Sequence, residues 1–166
     1  MKVVDDFLYD DLYQDLVRDL NDLRYTHVDS YNGIEKSEAL LDAETVGRIR
    51  SCYADKVADP VGVFEASITK CDPGYEYDLH ADHPDKIVST VLYLAPETGD
   101  GTLFLQKIEG TRLFFEEVVW LPNRLVTWKN AGQRHMYRNT KQEIRFTLNI
   151  YQKKHDVSFE VQNIYE

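Results

Sequence analysis

The sequence predicts an α+β fold, mainly β, in which N-terminal helices support a sandwich or jelly roll. Three observations lead there. Between Asp5 and Arg24 the apolar residues Leu8, Leu12, Leu16, Val17, Leu20 and Leu23 recur at three- and four-residue steps, one stripe of a helix. From Gly62 onward the pattern changes to short runs rich in β-branched and aromatic residues. Turn-forming clusters, such as Asp72-Pro73-Gly74, Gly99-Asp100-Gly101, Pro122-Asn123 and Ala131-Gly132, separate those runs. Short, closely spaced strands favour two packed antiparallel sheets over a parallel one.

The elements follow in order. The first helix is expected over Asp5–Arg24, with Asp5 and Asp6 at its start and Arg18 and Arg24 near its end, the charge order its dipole favours. The polar stretch Tyr31–Glu38, containing Asn32-Gly33, interrupts the pattern. A second helix is expected from Asp42 as N-cap, carrying Val46, Ile49 and Tyr53 inward and ending before Asp59-Pro60. Strands are expected at Val63–Lys70, Ile87–Ala95, Thr102–Gln106, Arg112–Val119, Leu125–Trp128 and Ile144–Gln152. The chain thus reads as a single domain: a helical support over residues 1–58, a β core over 62–153, and an acidic, aromatic tail over 154–166 that adds an edge strand or is mobile.

Composition narrows the function classes. The 166 residues carry 19 Lys+Arg against 29 Asp+Glu, a formal charge of −10, which argues against a duplex nucleic-acid binder. No stretch approaches the roughly 18 apolar residues of a membrane span. The acidic start Met1-Lys2-Val3-Val4-Asp5-Asp6 lacks the apolar core of a signal peptide, so a soluble, cytoplasmic protein is expected. Cys52 and Cys71 are too few for a disulfide framework and are read as packed thiols.

Two His-x-Asp pairs stand out, His27-Val28-Asp29 and His80-Ala81-Asp82. On a strand such a pair shares one face. With 17 aspartates and five histidines, about half a pair is expected by chance, so a second criterion is needed. A facial triad of two His and one carboxylate, with open positions on the metal, supplies it. His135, in the expected turn after Trp128, is the candidate third ligand, and ten residues beyond it comes Arg145. Alternation over Ile144–Ile150 puts Ile144, Phe146, Leu148 and Ile150 on one face and Arg145 with Thr147 on the other. A guanidinium fork and a hydroxyl together suit a carboxylate. His27-Val28-Asp29 fails the same test and is assigned to the link after the first helix. His83, before Pro84, reads as solvent-exposed, Trp128 as core, and His155 as lying beyond the last core strand.

At these residues the chain resembles the Fe(II)/2-oxoglutarate-dependent dioxygenases, in particular their prolyl 4-hydroxylase-like branch. The resemblance rests on Tyr77-Asp78-Leu79-His80-Ala81-Asp82, Val91-Leu92-Tyr93-Leu94, Gly101-Thr102-Leu103, Arg124-Leu125-Val126-Thr127-Trp128, His135 and Arg145-Phe146-Thr147, in that order. It spans Val63–Tyr151 and implies a double-stranded β-helix. It further implies Fe(II) held by His80, Asp82 and His135, with 2-oxoglutarate and O2 completing the site. Arg145 and Thr147 would hold the distal carboxylate of 2-oxoglutarate. Tyr93 matches a family tyrosine that points to the same group, though by itself it reads equally as a core aromatic. Tyr77, or Tyr75, would line the cosubstrate pocket.

The implied activity is hydroxylation of an unactivated carbon, with release of succinate and CO2. A prolyl residue of a peptide or protein is the expected substrate, with a free amino acid or other small molecule as the alternative. Lys86, Arg134 and Arg138, the basic residues near the triad, read equally as an attraction for an acidic substrate and as solvated side chains. A zinc hydrolase using the same three ligands is the competing enzyme class, although it leaves Arg145 without a task. A non-catalytic jelly-roll binding module is the competing non-enzyme.

Overall fold

The structure is a computed structural model and describes residues 1–154. Its elements run β1 (Lys2–Val4), α1 (Asp10–Asp19), β2 (Thr26–Tyr31), β3 (Ile34–Leu40), α2 (Ala43–Lys56), β4 (Val63–Cys71), β5 (Glu76–Ala81) and β6 (Lys86–Ala95). They continue with β7 (Thr102–Glu109), β8 (Arg112–Val118), β9 (Leu125–Lys129), β10 (Arg134–Arg138) and β11 (Arg145–Lys153). Seven strands form one sheet in the order β1-β9-β6-β11-β4-β3-β2, and four form the other in the order β5-β10-β7-β8. From β4 onward the chain passes between the sheets, so that β4, β6, β9 and β11 face β5, β7, β8 and β10. This is the expected jelly roll.

Strand alternation divides the apolar residues between two cores. Phe146, Leu148 and Ile150 of β11, with Leu92 and Leu94 of β6, pack against Leu12 and Leu16 of α1 and Ile49 and Tyr53 of α2. The helices therefore cover the outer face of the larger sheet. Tyr93, Phe104, Val118, Trp120, Val126 and Trp128 fill the space between the sheets. The polar face of β11, beginning with buried Arg145 and Thr147, points into that same space, where its side chains line a cavity.

The N-terminal third departs from the expected all-helical support: residues 1–58 also hold β1 and the β2–β3 hairpin. Asn32 (φ 49°) and Gly33 (φ 79°) both occupy the left-handed region, the two-residue turn that joins twisted antiparallel strands. Asn-Gly was thus a hairpin signal rather than a simple break. The first helix is shorter than expected because Leu8 is captured outside it. Asn123 accepts from the Leu8 N–H at 2.9 Å and donates to its carbonyl at 3.0 Å. The second helix begins as expected: the Asp42 side chain accepts from the Thr45 N–H at 2.8 Å. The hydroxyl of Thr45 donates to the same carboxylate, and these bonds hold the Asp42 pKa below its ordinary value.

Two further differences concern the site. β5 and β10 had no place among the expected strands, and His135 lies on β10 rather than in a turn. Both strands are short and polar, and their pairing with each other, rather than their composition, makes them strands. Of the expected tail only Lys154 is described; its N–H donates to the Asp85 carbonyl at 2.9 Å. The edge-strand reading of 155–166 and the position of His155 fall outside the described residues. Among the described residues no helix is long and apolar enough to cross a membrane.

Candidate metal centre

His80 and His135 are 55 positions apart in sequence and directly opposite each other in space. They are cross-strand partners on β5 and β10, with ring centroids 4.3 Å apart. Asp82, one residue past the end of β5, completes the group, and the three candidate ligand atoms lie within 4.8 Å of one another. Among the described residues this is the cluster of His, Cys, Asp and Glu with metal-binding spacing. His27 and Asp29, the other His-x-Asp pair, lie on β2 instead. His27 is exposed, and Asp29 accepts a hydrogen bond from the Tyr75 hydroxyl.

The surroundings prepare the ligands. His80 Nδ1 is 2.8 Å from the Asp78 carbonyl, and His135 Nδ1 is 3.5 Å from that of Gln133. A proton on each Nδ1 leaves each Nε2 lone pair for a metal. Burial pushes the His80 pKa down and the His135 pKa down to about 4, although Asp82 pulls both the other way. Burial also works to raise the Asp82 pKa, but Lys86 and then His135 outweigh it and keep the carboxyl below its ordinary value. Lys86 Nζ donates to Asp82 Oδ1 at 2.9 Å. Asp82 Oδ2, buried and without a hydrogen-bond partner, lies 3.9 Å from His135 Nε2. One oxygen is held and the other turned toward the histidines, which fits a carboxylate binding a divalent cation through one atom.

A neutral buried imidazole has a consequence for stability. Between pH 6.5 and about 4, His135 binds a proton in the unfolded chain but not in the folded one. The metal-free protein is therefore expected to lose stability as pH falls through this window. Thermal unfolding of metal-free protein at pH 7 and pH 5 measures the loss. His135→Gln is expected to flatten the dependence, and an equal pH response in that variant would contradict the assignment.

The triad opens into a cavity of about 250 Å³ that also meets Tyr77, Thr90, Asn149, Tyr151, Arg145 and Thr147. Its far end is cationic. Arg145 is 2 % exposed, and its Nε and Nη2 have no hydrogen-bond partner. The guanidinium carbon instead lies 4.7 Å from the centroid of Tyr137 and 5.2 Å from that of Trp120. A buried guanidinium with unsatisfied N–H groups is the complement of a carboxylate. Among the described residues Asp82 is the one carboxylate lining the cavity. The residues present thus fit both a divalent metal and an elongated acid such as 2-oxoglutarate.

Other expected residues are distributed less uniformly. Tyr77 lines the cavity, with its ring edge against His80 at 4.3 Å between centroids. Tyr75 is fully buried and bonded to Asp29, outside the cavity lining. The Tyr93 hydroxyl is turned away. It lies 3.1 Å from both Thr102 Oγ1 and the Val118 carbonyl, which share its one proton, and accepts from the Thr102 N–H at 2.9 Å. What Tyr93 offers Arg145 is its ring, 6.0 Å away, stacked on Trp120. Gly101 permits this arrangement, because a Cβ there would fall 1.9 Å from the Val118 carbonyl oxygen. His83 is half-buried at the cavity rather than exposed, and Trp128 is both core and wall, edge-on to His135 at 4.8 Å. Arg134 and Arg138 are exposed.

Lys36, Tyr137, Asn149 and Tyr151 also line the cavity and were not singled out in the sequence. Asn149 and Tyr151 continue the alternation that begins at Arg145, so extending that pattern to the end of the strand would have found them. Lys36 follows from reading Asn32-Gly33 as a hairpin. Tyr137, two residues after His135, follows from reading β10 as a strand.

The passage of eight strands between two sheets, with the His-Asp-His cluster where β5 ends and β10 begins, is a double-stranded β-helix. Comparison with solved structures bears this out. The chain is similar to a Pseudomonas putida prolyl-4-hydroxylase (TM-score 0.67, 16% identity, covering 93% of this chain and 92% of that one). It is also similar to a Trichoplax adhaerens prolyl hydroxylase, solved with a hypoxia inducible factor oxygen degradation domain peptide fragment (0.66, 14%, 99% and 86%). A third similar structure is an oxidoreductase of the 2OG-Fe(II) oxygenase family from Burkholderia pseudomallei (0.59, 16%, 87% and 79%). At these identities the likeness is one of fold. No protein-family model and no curated protein sequence matches the chain.

Proposed function

We propose that this protein is an Fe(II)- and 2-oxoglutarate-dependent dioxygenase, with His80, Asp82 and His135 as the metal ligands. The observation that carries this reading is one cavity with two complementary ends. At one end Asp82 presents an unpaired oxygen beside two neutral histidines; at the other Arg145 presents unpaired N–H groups. Arg145 and Thr147 bind the distal carboxylate of the cosubstrate, which sets its position along the cavity. Tyr77, Trp128 and Phe104 surround the histidines and limit water around them. When bound, iron, 2-oxoglutarate and O2 together supply an oxidant strong enough for an unactivated C–H bond, leaving succinate and CO2. The chain's own contribution is to hold and orient.

A prolyl residue of a peptide or protein is the substrate we propose. The resemblance in sequence order and the two prolyl hydroxylase neighbours support it. So does a larger hollow of about 1000 Å³ that shares Trp128 with the cavity and is lined by Ile87, Leu105 and Ile108, room for an extended chain. Among the described residues the zinc-hydrolase alternative finds no second carboxylate in the cavity to act as general base.

The test has two stages. Anaerobic addition of 2-oxoglutarate to the Fe(II)-loaded protein is expected to produce a visible charge-transfer band. Proline-containing peptides are then expected to stimulate succinate formation in air and to gain one oxygen atom by mass spectrometry. A band without any peptide response, together with turnover of a free amino acid, would replace the peptide by a small molecule. Absence of the band would overturn the dioxygenase reading.

A further inference from the structure

The distal end of the cavity contains a second cation. Lys36 lies on β3, outside the eight strands of the jelly roll, yet lines the same cavity as Arg145. The strand register explains how it gets there. Lys36 pairs with Cys71 on β4, and Cys71 pairs with Arg145 on β11, so the three residues form one row across the sheet. Directly paired residues share a face of the sheet. Neighbouring strands are about 4.8 Å apart, so side chains as long as Lys and Arg converge across the small Cys71.

They converge on one ring. Lys36 Nζ is 5.6 Å from the centroid of Tyr137, and the Arg145 guanidinium carbon is 4.7 Å from it. Lys36 Nζ also lies 4.2 Å from the centroid of Tyr77. Aromatic faces are its neighbours; the side chain has no ion pair or hydrogen bond among the described residues. Asp29 and Glu38 act on it electrostatically, and among the described residues it forms an ion pair with neither. Partial burial pushes its pKa down, against the weaker pull of Cys71, Glu38 and Asp29. In a chain with 29 acidic residues, a lysine and an arginine are directed into one cavity whose one carboxylate among the described residues, Asp82, is held by Lys86, and they are complementary to an anion from outside.

Resting on the dioxygenase reading above, we propose that Lys36 is a second cationic contact for the distal carboxylate of the cosubstrate. The β2–β3 hairpin thereby takes part in cosubstrate selection. Its row with Arg145 lies at the far end of β11 from Tyr151 and Lys153, and its Nζ also approaches Tyr77, the ring that flanks His80; the shared row and the shared Tyr137 ring are what point it to the distal carboxylate. Two cations at that end favour a dicarboxylate over a 2-oxo acid with an uncharged tail.

Binding, without turnover, tests this. The full chain loaded with Mn(II) is titrated with 2-oxoglutarate and with 2-oxopentanoate, which lacks the distal carboxylate, and followed by calorimetry. Lys36→Met is expected to weaken 2-oxoglutarate by about tenfold or more, the weight of a charge-assisted contact, and to leave 2-oxopentanoate unchanged. Lys36→Arg, which keeps the charge, is expected to recover much of the loss. Far-UV circular dichroism and the unfolding midpoint establish that the hairpin has formed in each variant. Equal binding of 2-oxoglutarate to wild type and Lys36→Met would overturn the proposal while leaving the dioxygenase reading in place. Equal weakening of both acids would also overturn it, since the contact would then not be with the distal carboxylate. Failure of the wild-type protein to prefer 2-oxoglutarate would remove the reading on which the proposal rests.

Discussion

Asp82→Ala, His80→Ala and His135→Ala are each expected to abolish turnover and to reduce divalent-metal affinity by more than about 100-fold. Residues that merely orient metal ligands are already worth roughly 10–100-fold, and these three would be the ligands. Co(II) titration followed in the visible range reads the affinity directly, and mass spectrometry reads turnover. His27→Ala and Asp29→Ala belong to the other His-x-Asp pair and are expected to keep full metal affinity. Asp29→Ala leaves the Tyr75 hydroxyl without its acceptor and is expected to lower the unfolding temperature while the metal ligands stay in place. A His27→Ala variant that folds but loses metal as His80→Ala does would show the wrong pair to have been chosen.

Arg145→Met separates cosubstrate from metal. It is expected to raise the 2-oxoglutarate dissociation constant by roughly 10–100-fold, the weight of hydrogen bonds to a charged group, with metal affinity nearly unchanged. The same variant is expected to unfold at an equal or higher temperature in the absence of ligand. The reason is the unsatisfied Nε and Nη2 of a 2 %-exposed guanidinium, a desolvation cost that an apolar side chain of similar length does not carry. A structural role for Arg145 predicts the opposite: loss of stability with ligand binding intact. Measuring both quantities on one variant decides between them.

Much of the site was legible because it depends on short-range periodicity. Arg145 and Thr147 share a face because strand side chains alternate, and the apolar partners Phe146, Leu148 and Ile150 marked the opposite face as a core face; that the helices cover it came from the packing. The Asp42 cap and the second helix were legible for a similar reason, since a side chain bonding to the N–H three residues on is a local event. β5 and β10 were not. Their residues are polar and aromatic without a clean alternation, and the register between His80 and His135 that makes them strands spans 55 residues. The hairpin carrying Lys36 was half legible: Asn32-Gly33 announced a turn, but that the turn joins two strands of the larger sheet depends on pairing with β4.

The sequence by itself determined which residue types the chemistry would use and which face of the last strand would carry them. It also determined that two sheets rather than one parallel sheet would form, because these properties follow from patterns two to four residues long. Only the tertiary structure decided where the side chains point once the strands are paired. It turned the Tyr93 hydroxyl into a hydrogen-bond network with Thr102 and Val118 instead of the cavity, since a buried hydroxyl takes the nearest backbone partners. It also brought Lys36 into the row of Arg145, because cross-strand register, unlike alternation, is fixed by contacts between segments distant in the chain.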